Sequence, residues 1–234
     1  MRRAIIVASI GVAVLGAASA AVATTGGNAK AMAFYTKSQT AMAAYEGIRF
    51  VGGGTSYRLL PASGGVENFR FDFGSTPAGY SSAVAHVQIV QRHGIVVEEV
   101  DTLKAKGLPT LRIWQQKSVE IGELVNGAKT CAEVIPKNGA SFATLGRPFV
   151  VFAGYTFAKL TTPKLGVRVV ATTYPLAGGT AHEHDTISAK THLWRASHLL
   201  VTGGPYSNNA LHESHFAYQR TKAVVGAPSL GRCA

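Results

Sequence analysis

Acidic side chains are scarce in this chain. Twelve Asp and Glu stand against 23 Lys and Arg in 234 residues, for a formal charge of +11. Asp72, Asp101 and Asp185 are the only aspartates. Hydrolases that work with paired carboxylates draw on a richer acidic supply, which argues against that class. Cysteine is rarer still. Cys131 and Cys233 are the only two, and without a CxxC spacing they make no zinc-ribbon or zinc-finger site. Beyond residue 23 no apolar run is long enough to cross a membrane as a helix. The basic residues are scattered rather than bunched and accompany no zinc-finger or RNA-binding motif, so nucleic acid is not an expected partner. Gly52-Gly53-Gly54 lacks the GK[ST] ending of a phosphate loop. Gly79-Tyr80-Ser81-Ser82-Ala83 lacks the second glycine of a nucleophile elbow and reads as a turn.

What is present begins with a leader. Arg2 and Arg3 precede an uncharged apolar run, Ala4 to Leu15, followed by small residues with two A-x-A sites. This is the pattern of an export signal cleaved after Ala23, with retention as an anchor as the alternative. The expected location is secreted, periplasmic or cell-envelope. Two cysteines in an exported chain predict one disulfide, Cys131 to Cys233. The basic balance suits an anionic envelope surface or serves solubility alone. The mature part, residues 24–234, is expected to form one domain.

Within it, Lys30 to Glu46 reads as a helix with Met32, Tyr35, Met42 and Tyr45 near one face, stopped by Gly47. Short strands follow, separated by turn signals: Ile48 to Leu60 bent at the triple glycine, Phe69 to Phe73, His86 to Gln91, Ile95 to Leu103, a strand after Pro109, Val119 to Ile121, and Thr130 to Ile135. Phe149 to Tyr155 and Gly166 to Tyr174 are apolar and β-branched, with a short strand or turn between them. A last strand is expected around His215 to Val225. No βαβ rhythm and no repeat is visible. The expected fold is mainly β, an α+β arrangement with one N-terminal helix and a large curved antiparallel sheet or half-barrel.

The densest chemistry lies in Ala181 to Thr202, a strand, a turn and a strand holding four of the eight histidines. In a strand, His182 and His184 share a face and can grip a zinc or copper ion if a third ligand arrives from elsewhere. His192 has the same parity but lies roughly 26 Å away if the strand is extended. The alternation puts these histidines on a polar row, opposite Ile187, Ala189, Thr191 and Leu193. His212-Glu213-Ser214-His215 has one residue too few between its histidines for the metalloprotease motif.

The apolar rows offer a second kind of site. Phe50 leads, then Phe69, Phe71 and Phe73 at period two, with Arg70 and Asp72 pointing the other way. Val87 and Ile89, Leu111 and Ile113, and finally Ile187 and Leu193 complete the set. These ten side chains either pack as ordinary core or line a cavity for a hydrophobic guest.

Four features resemble the LolA-like lipoprotein-carrier superfamily, including its LppX/LprG-type lipid-binding proteins. They are a mature chain that opens with a helix, the run of that helix into a strand (Ala41 to Phe50), the late hairpin Thr191 to Val201, and the closing Phe216 to Arg220 with Ala227-Pro228-Ser229. The resemblance implies a half-barrel of antiparallel strands closed by helices over an apolar cavity for acyl chains, without enzymatic activity. The expectation is therefore an exported, non-catalytic binder of a lipid or other hydrophobic ligand, with no cofactor. The alternatives are a secreted metal-binding protein using His182 and His184, or a structural or adhesive surface protein with a closed core.

Overall fold

A computed structural model describes residues 27–60, 69–73, 76–116, 119–134, 156–176, 178–205 and 207–231. The expected leader, the strand at Phe149 to Tyr155 and Cys233 lie outside the described residues. No helix of the described residues is long and apolar enough to cross a membrane.

Helix α1 spans Ala29–Ala43. The Asn28 side chain caps its start, accepting the Ala31 amide at 3.1 Å. Its buried face is Ala31, Tyr35, Ser38 and Met42, a spacing of four, three and four residues. Tyr35 and Met42 are as expected; Met32 packs at the margin of this core, and Tyr45 lies beyond the helix. The helix stops before the predicted Glu46 because a distant side chain ends it. The buried Gln91 amide donates to the carbonyls of Met42 at 2.7 Å and Tyr45 at 2.5 Å, which leaves no role for Gly47 as the stop.

Twelve strands follow: β1 (Gly47–Leu59), β2 (Phe69–Phe73), β3 (Ser81–Arg92), β4 (Ile95–Ala105), β5 (Thr110–Gln116), β6 (Val119–Asn126), β7 (Lys129–Val134), β8 (Thr156–Thr161), β9 (Val167–Leu176), β10 (Gly179–Ser188), β11 (Trp194–Thr202) and β12 (Ala210–Gln219). Their order in the sheet is 7-6-5-4-3-1-12-11-10-9-8, with β2 beside β1. Two antiparallel meanders, β3 to β7 and β8 to β12, thus meet at β1. The fold is mainly β, with one helix and a large open antiparallel sheet that does not close into a barrel.

The triple glycine does not break β1. The strand runs through it with a register shift, and on one edge exchanges β12, paired from Gly47 to Gly53, for β2, paired from Thr55 to Leu59. Gly54 has φ +85, and a Cβ there would meet the Ala210 carbonyl oxygen at 2.1 Å, so only glycine fits the switch. The last strand also departs from expectation. It ends at Gln219, and residues 221–230 lie outside the sheet. Glu98 explains why. Its carboxylate accepts the amides of Val225 at 2.6 Å and Gly226 at 3.0 Å, so the segment satisfies its backbone on a side chain instead of a neighbouring strand.

Helix α1 covers one face of the sheet. Tyr35 packs edge-on to Phe157 at 5.4 Å and Trp194 at 5.7 Å, over a core that includes Ile48, Phe50, Ile89 and Ile187. The opposite, outer face carries a smaller cluster of Val100, Trp114, Ile121 and Ala132.

Candidate functional site

Paired residues in an antiparallel ladder point to the same face, so register assigns every side chain. Ile89 opposes Ile48 and Glu99, and Glu99 opposes Gln115, which opposes Glu120. Val87 opposes Phe50 and Asp101, and Asp101 opposes Ile113. From Gly52 the next row runs to Glu213, Ser197 and Asp185. Glu183 opposes Leu199 and Thr172. Glu133 joins the Asp101 row through Gly122, so seven of the chain's twelve acids lie on the helix-covered face, four on the β4–β7 side of the central strands and three on the β10–β12 side.

Two of them, Asp101 and Asp185, keep carboxylate oxygens without a partner among the described residues. Asp185 is fully buried, and neither of its oxygens has a hydrogen-bond partner among the described residues. The same holds for Asp101 Oδ1 and for two neighbours of the acids, Thr172 Oγ1 and Gln115 Nε2. Thr172 is 1 % exposed and Gln115 6 %. The Ser197 hydroxyl, which lies between two of the acids, donates to Glu183 Oε1 at 3.2 Å.

Such crowding moves protons onto the carboxylates. Burial, then the charges of Glu213 and Glu120, pushes Glu99 up to about 7. Burial, then Glu183 and Asp101, pushes Glu213 up to about 8. Asp101 is raised by burial and by Glu99. Asp185 is raised by burial, then by the charge of Glu183. Near neutrality the face thus carries carboxyl groups that are neutral or poised to be, able to donate and accept hydrogen bonds.

The expected apolar residues flank this belt. Phe50, Ile89 and Ile187 are buried in the core under α1, with Leu193 and Val87 packed against it. Phe69, Leu111 and Ile113 form a second cluster on the β2–β5 side, with Phe71 packed on it. Phe73 closes β2 opposite Thr55, and its side chain lies outside the described part of the chain. Sequence parity missed the acids themselves. The signal was present, since Glu99, Asp101, Glu183 and Asp185 all occupy the inward phase of their strands, alternating with residues of the opposite face.

The histidines end up elsewhere. His182 Nε2 shares a hydrogen bond of 2.9 Å with Thr202 Oγ1. His184 stands on the outer face in register with His198 and His212. The rings of His198 and His212 stack at 4.2 Å, and burial, then His212 and His184, holds His198 below the ordinary imidazole value. Stacked rings aim their nitrogens past one another, and no three His, Cys, Asp or Glu side chains of the described residues are arranged to hold a metal. His192 is not on an extended strand at all. It sits in the β10–β11 turn with φ +58, its ring 5.0 Å from that of Phe34 on α1. The polar row predicted from His182 to His192 ends at Ser188, because the chain turns there and the Ser188 carbonyl accepts the His192 amide at 2.9 Å.

Cys131 lies in β7. The neighbouring Ala132 and Gly231 exchange backbone hydrogen bonds of 3.0 and 2.8 Å, which brings the chain just before Cys233 alongside β7. No protein-family model matches this chain, and no curated protein matches it.

Proposed function

We propose that this is an exported, non-catalytic protein that holds a lipid or other hydrophobic ligand against the helix-covered face, with the ligand's polar group at the carboxylate belt. The observation that carries this reading is the belt itself. Carboxyls and two further polar groups without partners lie between two apolar clusters on one face. Buried polar groups are ordinarily satisfied, and those left over in a folded protein call for a missing partner. A ligand supplies that partner. Each methylene it buries contributes about 0.8 kcal/mol, so an acyl chain along the apolar clusters provides the affinity and the belt selects the head group. Protonated carboxyls suit a hydroxyl, an amide or an amine. They disfavour a fatty-acid carboxylate at alkaline pH, where both partners are charged. The resemblance to LolA-like carriers supports the same reading, as do the leader and the expected disulfide.

The test uses the two tryptophans, of which Trp194 lies in the core under α1. Organic extracts of the mature protein are expected to contain a lipid by mass spectrometry. In a Trp114→Phe background, Trp194 emission is expected to be quenched saturably by a dansylated long-chain amine, and more weakly by the matching fatty acid above about pH 8. Absence of both extractable lipid and saturable quenching discards the reading in favour of a structural sheet with a closed core.

A further inference from the structure

The outer face holds a second, unrelated feature: a cavity of about 720 Å³ between the sheet and the C-terminal segment. Its floor is two adjacent rows of the ladder. One runs Val51, His86, Thr102, Arg112, Glu123; the other runs Arg49, Gln88, Val100, Trp114. Residues 225–228 form the roof, and His215 closes one side.

The roof is fixed in place. Besides the two amides on Glu98, the Lys222 amide donates to Glu46 Oε2 at 3.2 Å, and Gly231 is tied to Ala132. Glu98 is itself fully buried and accepts the Trp114 indole N–H at 2.6 Å. The cavity is therefore built before any ligand arrives, and its volume lies within the roughly 300–1,000 Å³ of small-molecule sites.

Its uncommitted polar groups are mainly donors. The Arg49 guanidinium is exposed and makes no hydrogen bond or ion pair among the described residues. Arg112 pairs through one nitrogen with Glu123 at 2.5 Å, so the one acid of the lining is already engaged. Two arginines against one glutamate leave a surplus positive charge even with His86 and His215 neutral. Gln88 Nε2 is buried with no acceptor. The bulge of β12 adds a strained residue. His215 adopts φ +58 where Phe50 faces two residues of β12, and its Nδ1 lies 2.8 Å from Ser214 Oγ, which fixes the ring. Strain of this kind persists where surrounding structure enforces it, often at binding sites.

We propose that this cavity binds a small organic anion, one carrying a carboxylate or a phosphate. Arg49 supplies the planar pair of donors such groups accept, and Gln88 contributes a further one. The space exceeds what a bare ion fills, so the anionic group is carried on an organic body resting on the Val51 and Val100 side of the floor. The site is independent of the ligand proposed for the other face, whose carboxylates disfavour anions.

Calorimetric titration of the full mature chain tests this with glucose 6-phosphate, glucuronate, glucose and inorganic phosphate as probes. Either organic anion is expected to bind, and glucose is not. Arg49→Gln is expected to weaken binding by at least about tenfold, with an unchanged unfolding midpoint because the side chain is exposed. Arg195→Gln, an exposed arginine on β11, is expected to leave it unaltered. In a Trp194→Phe background, Trp114 emission reports occupancy of this cavity alone. The proposal is overturned if neither organic anion binds at ~10 mM, a concentration that still detects millimolar affinity. It is overturned equally if both arginine variants weaken binding alike, or if inorganic phosphate binds as tightly as the organic anions.

Discussion

Glu98 and Glu99 are adjacent in β4 and live in opposite worlds. Glu98 points to the outer face, is fully buried, and accepts three hydrogen bonds, from Trp114, Val225 and Gly226. Glu99 points under the helix, among Glu120, Glu213 and apolar side chains, and burial raises it to about 7. One carboxylate is saturated with donors and anchors a segment of chain. The other lies among further carboxylates, and Asp101 and Asp185 of that group keep oxygens without a partner among the described residues. The same contrast separates the faces as wholes: the outer face pairs or spends its acids and keeps free cations, while the helix-covered face keeps its acids. A saturated carboxylate is architecture, and an unsaturated one is capacity for a ligand.

The comparison is most severely tested by truncating each face. Leu111→Ala, at a fully buried site of the second apolar cluster, is expected to cost ~2–5 kcal/mol in urea unfolding, the range of large-to-small core changes. The C-terminal segment should be nearly as sensitive if the expected Cys131–Cys233 bond forms. If Cys131 and Cys233 are bonded, replacing both by Ser is expected to cost roughly 4 kcal/mol, as a long closed loop is released. An unchanged unfolding midpoint in reducing and oxidising buffer would remove that bond from the account. Glu98→Ala strands three donors and is expected to cost about 3 kcal/mol. Protease sensitivity after Lys222 should rise with it, while Trp194 emission, which reports the other face, stays unchanged.

The loss of stability with rising pH should come from the helix-covered face. Glu99 and Glu213 have folded values above their ordinary 4.5, at about 7 and about 8, so the protonated forms favour the folded state. Their contribution is fully present at low pH and is lost as pH rises through those values. Stability is expected to fall by on the order of 1–3 kcal/mol between about pH 5 and 9. Glu213→Gln should flatten that slope, and a slope unchanged in the variant would show that the belt does not titrate as a unit. The smallest effect is expected at the histidine row. His184→Ala is exposed and should change stability by less than about 0.5 kcal/mol, with metal content equal to that of the parent by elemental analysis.

Much of the architecture was legible in single strands. Phe69 to Phe73, the turn at Gly94 and the β-branched run after Gly166 announced themselves by alternation and by punctuating glycines, and they form strands and turns at those places. What alternation could not show was the neighbour. The Gln91 cap that stops α1 comes from a strand 49 residues away from Met42. The Glu98 hold that lifts residues 221–230 off the sheet reaches 127 residues to Val225. Scarcity of acids in the composition says nothing about where phase places them. Seven scattered carboxylates share a face only when register aligns β4, β6, β7, β10 and β12 in one sheet.

The class of fold, one helix followed by antiparallel strands, follows from the residue pattern alone, because period and turn chemistry act over a few residues. The same patterns mark the ten apolar positions, eight of which pack where their strand phase puts them, while Leu193 reaches the core from a turn. The tertiary structure alone decided which polar groups are satisfied. Whether a carboxylate meets three donors or three other carboxylates depends on pairing between segments far apart in the chain, and no local pattern encodes a partner that distant.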